Sequence, residues 1–286
     1  MKISEHAIVF SCAGEHLLGI VASPEEPGKT GALIVVGGPQ YRAGSHRQFL
    51  LLSRTLAAAG YPAMRFDYRG MGDSSGELRN FEAVDADIAA AVDTFVAAYP
   101  GLERIVLWGL CDAASAALLY CDAARDPRID GLVLLNPWVR SEATLARAHI
   151  KHYYAQRLLQ PEFWRKLLGG QLGLGRAIGG LLNSLRQSRQ LGSKAAGQAQ
   201  LSFHERMLRG LLAFPGAVLI ILSGDDYTAK EFIESTKASA AWQAALSGGN
   251  VASRAVAGAD HTFSSAEWRA VVETLTVDWL SREINV

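Results

Sequence analysis

The chain has 286 residues with 28 Lys or Arg against 28 Asp or Glu, a formal net charge of zero that gives no electrostatic ground for a nucleic-acid partner. Its hydrophobic fraction of 49% is that of a core-forming soluble enzyme and excludes a largely disordered chain. The residues Met1-Lys-Ile-Ser-Glu-His-Ala enter a strand-like run without the regions of a leader peptide, and the longest apolar run, 210–222, is broken by Pro215 and Gly216. With three cysteines, Cys12, Cys111 and Cys121, a disulfide framework is not expected, and none of them shows metal-ligand spacing. The expectation is a cytoplasmic protein with no metal and no cofactor.

Taken in chain order, residues 5–11 and 16–21 predict a hairpin around Ala13-Gly14, and a strand follows at 31–36. Helix 47–59 then leads to strand 62–66. Helix 81–98, with Asp85, Asp87 and Asp93 directed outward, leads to strand 105–108, and helix 113–124 leads to strand 131–135. The strands are short, rich in Leu and β-branched residues and apolar on both faces, as a parallel sheet covered by helices requires. Their repeat has the spacing of right-handed crossovers. Between residues 139 and 213 the pattern changes to helix-like stretches interrupted by the glycine-rich 169–176, which reads as an inserted helical cap on a core of 1–138 and 214–286. Strand 217–222, helix 229–245, strand 251–256 and helix 265–282 complete the α/β pattern.

The cap carries twelve Lys or Arg and three Glu. Either this is a solvated face balanced by the acidic core, or it serves an anionic substrate or a membrane surface. Tyr153, Tyr154, Phe163, Trp164 and Leu167 beside Arg157, Arg165 and Lys166 fit peripheral membrane contact, and they equally fit packing of the cap onto the core. Oligomeric state is open.

The chemistry concentrates at strand ends. Gly109-Leu110-Cys111-Asp112-Ala113 runs from a strand into a helix with small residues two before and two after Cys111, a nucleophile-elbow pattern in which cysteine stands where serine is usual. A thiol at a helix N-terminus favours the thiolate and suggests covalent acyl chemistry. Such a nucleophile needs a base and a group to orient it. His261, in Gly258-Ala-Asp-His-Thr-Phe, follows the last strand and is the expected base. Asp226 is the expected acid, with Asp225 as the alternative, in the loop after strand 217–222. The backbone N–H groups of Asp112 and Gly38 are the expected oxyanion hole, with Gln40 as a substitute donor, since Pro39 has no N–H. Arg42, His46 and Arg47, with Ser45 as an N-cap, make a candidate substrate-binding anion site; ordinary solvated residues at a helix start are the alternative.

Arg65-Phe-Asp-Tyr-Arg-Gly-Met-Gly-Asp-Ser-Ser-Gly76 matches the D-x-R-G-x-G-x-S turn of many α/β-hydrolases. Together with Gly37-Gly38-Pro39, the elbow, Gly224-Asp225-Asp226 and Asp260-His261-Thr-Phe, the resemblance covers nearly the whole chain apart from the cap. It implies an α/β-hydrolase fold, with a mostly parallel central sheet flanked by helices and an inserted helical cap. Within that superfamily, 37–47, Trp108–Ser115 and 223–229 resemble exosortase A system-associated hydrolase 1, which implies a role near bacterial exopolysaccharide assembly. The departures are cysteine for serine, alanine for the second elbow glycine, and no His-Gly before the oxyanion loop. The implied activity is that of an esterase or thioesterase on a small-molecule or a lipid- or sugar-linked acyl substrate, with a Cys111-His261-Asp226 triad. The alternatives are an acyltransferase with the same triad and a non-catalytic binding protein of the same fold.

Overall fold

The computed structural model describes residues 2–38, 40–140 and 201–284. The elements are β1 (Ile3–Cys12), β2 (Glu15–Pro24), β3 (Thr30–Val35), α1 (Gln48–Ala58), β4 (Ala63–Phe66), α2 (Asp85–Ala98), β5 (Arg104–Leu110), α3 (Asp112–Ala124), β6 (Ile129–Leu135), α4 (Phe203–Ala213), β7 (Ala217–Ser223), α5 (Tyr227–Lys237), α6 (Ala240–Leu246), β8 (Val251–Val256) and α7 (Ala266–Trp279). The strands form one sheet in the order β1-β2-β4-β3-β5-β6-β7-β8. The β1–β2 hairpin turns through Ala13 and Gly14, both at positive φ, as a tight two-residue turn demands. β2 pairs antiparallel with β4, and every pair from β4 to β8 is parallel.

The period-two alternation of the central strands divides the core in two. Leu33 and Val35 of β3, with Ile105 and Leu107 of β5, join Ile88, Phe95, Leu118 and Leu119 in one cluster. Ile34, Val106, Trp108 and Leu110 join Phe49, Leu56, Val272 and Trp279 in the other. Both faces are apolar because helices cover both. The parallel order also gathers the loops after β3, β5, β7 and β8 at one edge of the sheet, where a doubly covered sheet leaves room for a site.

Three details depart from the expectations. Helix 229–245 is two helices, because the Ser239 side chain accepts the N–H of Trp242 and starts α6. α1 starts at Gln48 after a short 3-10 turn, Ser45–Arg47, and Ser45 does not cap it. Asp87 does not face outward: it is fully buried, and its carboxylate takes Arg69 in a fork at 2.9 and 2.7 Å.

Residues up to Val139 and from Phe203 onward form one compact unit. Residues 203–213, counted with the cap on sequence grounds, form α4 in this unit. Gly210 allows close approach to α3, since a Cβ there would lie 2.1 Å from the Leu118 carbonyl oxygen. Arg209 forks onto Asp122 and Arg206 reaches Asp85, so these two of the twelve basic residues are paired with core carboxylates. Residues 141–200, most of the expected cap, lie outside the described residues, and with them the aromatic and basic cluster.

The turn after β4 rests on one carboxylate. Asp67, with no exposed surface, accepts the Arg42 N–H at 2.7 Å and the Asp73 N–H at 3.1 Å, and its Oδ2 pairs with the buried Arg42 guanidinium. Gly72 is required at φ 53°, because a Cβ there would lie 2.2 Å from Asp67 Oδ2. Removing one partner of a buried pair strands the other charge, so Asp67→Ala is expected to cost about 3–5 kcal/mol, read as a lowered urea midpoint with an unchanged slope.

Candidate active site

β5 delivers Cys111 at φ 63° and ψ −124°, a conformation an L-residue holds only under constraint. The constraints are visible. A Cβ on Gly109 would lie 2.7 Å from the backbone of Ala113 and Ala114, so only glycine lets the chain fold back this tightly. The Cys111 N–H donates to the Leu135 carbonyl at 2.8 Å, and its own carbonyl accepts the N–H groups of Ala114 at 3.1 Å and Trp138 at 3.2 Å. The end of β6 thus holds the elbow from the side. Cys111 is partly exposed, whereas Cys12 and Cys121 are buried, and burial pushes the Cys121 thiol up to about 12.

His261, in the loop after β8, lies close enough to Cys111 for the thiol to help raise its pKa, and its Nδ1 lies 3.0 Å from Asp226 Oδ2. Asp226 is the N-cap of α5: Oδ2 also accepts the Ala229 N–H at 2.9 Å, which fixes the carboxylate before it meets the imidazole. Burial opposes its charge, but His261 and the N–H groups of Ala229 and Thr228 hold its pKa below the ordinary carboxylate range. The hydrogen bond to Asp226, followed by the influence of the neighbouring Cys111, raises His261 to about 10 against the effect of burial. Asp225 faces elsewhere, with its carboxylate on Lys230 at 3.1 Å in an exposed pair. Asp260 closes the turn, accepting the N–H groups of Thr262 and Ser264 at 3.1 and 3.0 Å.

The expected oxyanion donors are brought to the elbow, but two are engaged. The Gly38 N–H donates to Asp112 Oδ2 at 2.9 Å, and the Gln40 N–H donates to the Gly38 carbonyl at 2.8 Å. Gly37 makes the first contact possible, because a Cβ there would lie 2.2 Å from Asp112 Oδ1. Oδ1 is buried and without a hydrogen-bond partner. Burial raises the Asp112 carboxyl, opposed by nearby N–H groups and by His261.

The expected anion site divides. The Arg42 guanidinium is buried against Asp67 and also reaches Asp73 at 2.9 Å, so it is engaged in holding the turn and does not face a ligand. His46 and Arg47 are exposed, at φ 53° and 62°. Sequence reasoning missed Asn136 and Ser223, both buried and bonded to each other at 2.8 Å. The Asn-Pro pair closing β6 reads as an ordinary turn, and nothing in the spacing announces a partner 87 residues away. Among the described residues, no group of three or more His, Cys, Asp or Glu could hold a metal ion, and no helix is long and apolar enough to cross a membrane.

Sheet order, elbow and loop positions together define an α/β-hydrolase. The family model described as serine aminopeptidase, S33, matches residues 31–182, over half of the chain, and the chain belongs to that family. Human protein ABHD12B is 35% identical over 143 residues, 46% of this chain and 38% of that protein. Uncharacterized protein PA2218 of Pseudomonas aeruginosa is 34% identical over 105 residues, 35% of this chain and 27% of that protein. The chain thus spans well under half the length of these relatives. Among solved structures, the esterase Pf2001 of Pyrococcus furiosus has a TM-score of 0.65 at 16% identity, covering 99% of this chain and 94% of that one. Est1E of Butyrivibrio proteoclasticus, solved with ferulic acid bound, scores 0.62 at 16% identity and covers 98% and 100%. At these identities the likeness shows the fold.

Since Asp226 is the first cause of the raised His261 value, Asp226→Asn is expected to bring the imidazole titration below about 10, while Asp225→Asn leaves it in place. Ring-proton NMR against pH reads both, and the reverse pattern would transfer the orienting role to Asp225. The sign extends to stability: protonated His261 contributes fully below pH 6.5, and the contribution is lost as pH rises through about 10.

Proposed function

We propose that the protein hydrolyses ester or thioester bonds through an acyl-enzyme on Cys111. The observation that carries this reading is the His261 Nδ1–Asp226 Oδ2 pair at 3.0 Å beside Cys111, which stands at a strained strand-to-helix turn. Cys111 Sγ, its proton already held on His261 as the raised imidazole pKa implies, bonds to the acyl carbon, and the carbonyl π pair moves onto oxygen. The oxyanion collapses, the bond to the leaving alcohol or thiol breaks, and that group takes the proton from His261. Water then attacks the thioester, giving its proton to His261. The S–C bond breaks, Sγ is left as the thiolate beside protonated His261, and the carboxylic acid leaves. Asp226 holds the imidazole in the orientation and charge state each transfer needs.

The N–H groups of Asp112 and Gly38 serve the oxyanion in this reading. Because Asp112 Oδ2 accepts the Gly38 N–H, that carboxyl must withdraw before the second donor is available. The names of the similar structures, an esterase, a ferulic-acid-bound Est1E and a dienelactone hydrolase of Anabaena variabilis, support ester chemistry. The thiol extends it to thioesters, since acyl exchange between sulfurs is close to balanced. The resemblance to exosortase-associated hydrolases supports a lipid- or sugar-linked acyl substrate in exopolysaccharide systems.

Intact-mass spectrometry after brief exposure to acyl thioesters and p-nitrophenyl esters tests the reading. An acyl adduct on Cys111 is expected, absent in Cys111→Ala, and in His261→Ala forming more slowly and then persisting without turnover. If no donor acylates the protein and Cys111 alkylates no faster than the buried Cys12 and Cys121, the covalent mechanism is wrong.

A further inference from the structure

The end of β6 and the segment after it bond to the backbone of Cys111 and His261 and to the end of the strand that precedes Asp226. Leu135 and Trp138 hold the Cys111 backbone through its N–H and carbonyl, and the Ser115 hydroxyl donates to the Trp138 carbonyl at 2.7 Å. Between them, Asn136 stands at φ 43° with no exposed surface. Its N–H donates to the Ile221 carbonyl at 3.1 Å, which ties it to β7. Its Oδ1 accepts the Ser223 N–H at 2.8 Å. Its Nδ2 donates twice, to Ser223 Oγ at 2.8 Å and to the His261 carbonyl at 3.1 Å. Ser223 Oγ passes the chain on to the Asp260 carbonyl at 2.8 Å.

A fully buried amide with both donors and its acceptor used has one orientation and little freedom. The three groups it joins are far apart in sequence. Ser223 ends the strand whose loop carries Asp226, Asp260 and His261 lie in the loop after β8, and Asn136 follows the strand that holds Cys111. No other polar side chain among the described residues bonds to the strand end before Asp226 and to the His261 backbone together.

We infer that Asn136, with Ser223 as its relay, is a positioning residue that sets the His261 loop against the elbow and the acid loop. The inference rests on the proposed roles of Cys111, His261 and Asp226. Asn136 does not touch the reacting atoms. It holds the carbonyl of the residue whose ring must meet Sγ on one side and Asp226 on the other, and a misplacement of the order of 1 Å at such a ring costs roughly a hundredfold in rate.

The variants are Asn136→Ala and Asn136→Asp, the second keeping the acceptor for Ser223 N–H and losing the donors to Ser223 Oγ and to the His261 carbonyl. Both are expected to lower kcat about a hundredfold with KM nearly unchanged, since Asn136 has no exposed surface with which to meet a substrate. Both are also expected to move the His261 titration from about 10 toward its ordinary value and to slow Cys111 alkylation at neutral pH. The last two readouts need no substrate, so they decide the inference even if wild type turns over no ester or thioester. Ser223→Ala, which leaves the Asn136–His261 bond in place, is expected to show a smaller change of the same kind and serves where the Asn136 variants do not fold. Folded variants in which the His261 titration and Cys111 alkylation match wild type would overturn the inference, as would a Ser223→Ala indistinguishable from wild type in all three readouts when the Asn136 variants fail to fold.

Discussion

A cysteine at φ 63° and ψ −124° sits in backbone territory that costs of the order of 1–3 kcal/mol, and much of the site is arranged to hold it there. Gly109 removes the Cβ that would strike Ala113, and α3 begins at once and takes the Cys111 carbonyl into its first turn. The end of β6 supplies a carbonyl for the Cys111 N–H and a donor for its carbonyl. The turn therefore exists only because β5 and β6 are parallel neighbours in register to their last residues, Leu110 against Leu135. Register, strand order and nucleophile geometry form one constraint.

The buried ion pairs follow from the same crowding. The loop after β4 lies against the loop that carries Gly38; Tyr68 and Met71 reach from it into the core, and charged groups fill the rest of its interior. Asp67 gathers two N–H groups and a guanidinium, and Asp87 takes Arg69 from α2. Such pairs are poor sources of net stability but unforgiving of the loss of one partner, and that intolerance fixes a single loop conformation. The D-x-R-G-x-G-x-S turn is thus the scaffold of one wall, with its arginine and first aspartate turned inward.

That inward turn explains where reading residues in order succeeded and where it failed. Strand positions were readable because alternation with apolar residues on both faces has few other meanings, and Leu33, Ile34 and Val35 confirm it by dividing between the two core clusters. Cys111, Asp226 and His261 were locatable at strand ends because the turn chemistry there is local: a glycine two before, an Asp that caps a helix, an Asp-His at a loop. Arg42 and Asp87 were misread because a charged residue at a helix start or on a helix resembles a solvated one until its partner is known, and those partners lie 25 and 18 residues away. Asn136 was missed for the same reason across longer separations. A buried polar residue leaves its signature in its partners, and these are scattered along the chain.

The two polar groups flanking the elbow are handled in opposite ways. Asn136, on the side of the base, has every hydrogen-bonding atom of its amide satisfied, which leaves the imidazole a rigid backing. Asp112, on the side of the oxyanion loop, accepts the Gly38 N–H with one oxygen and buries the other without a partner. A group so incompletely satisfied gains less from staying where it is than one with all its partners. A proton-transfer pair needs fixed distances, whereas a pocket that must accept a carbonyl oxygen and then an oxyanion needs donors that can be surrendered to it. On the proposed mechanism, the rigid member and the adjustable one stand on the sides of Cys111 where those two requirements fall.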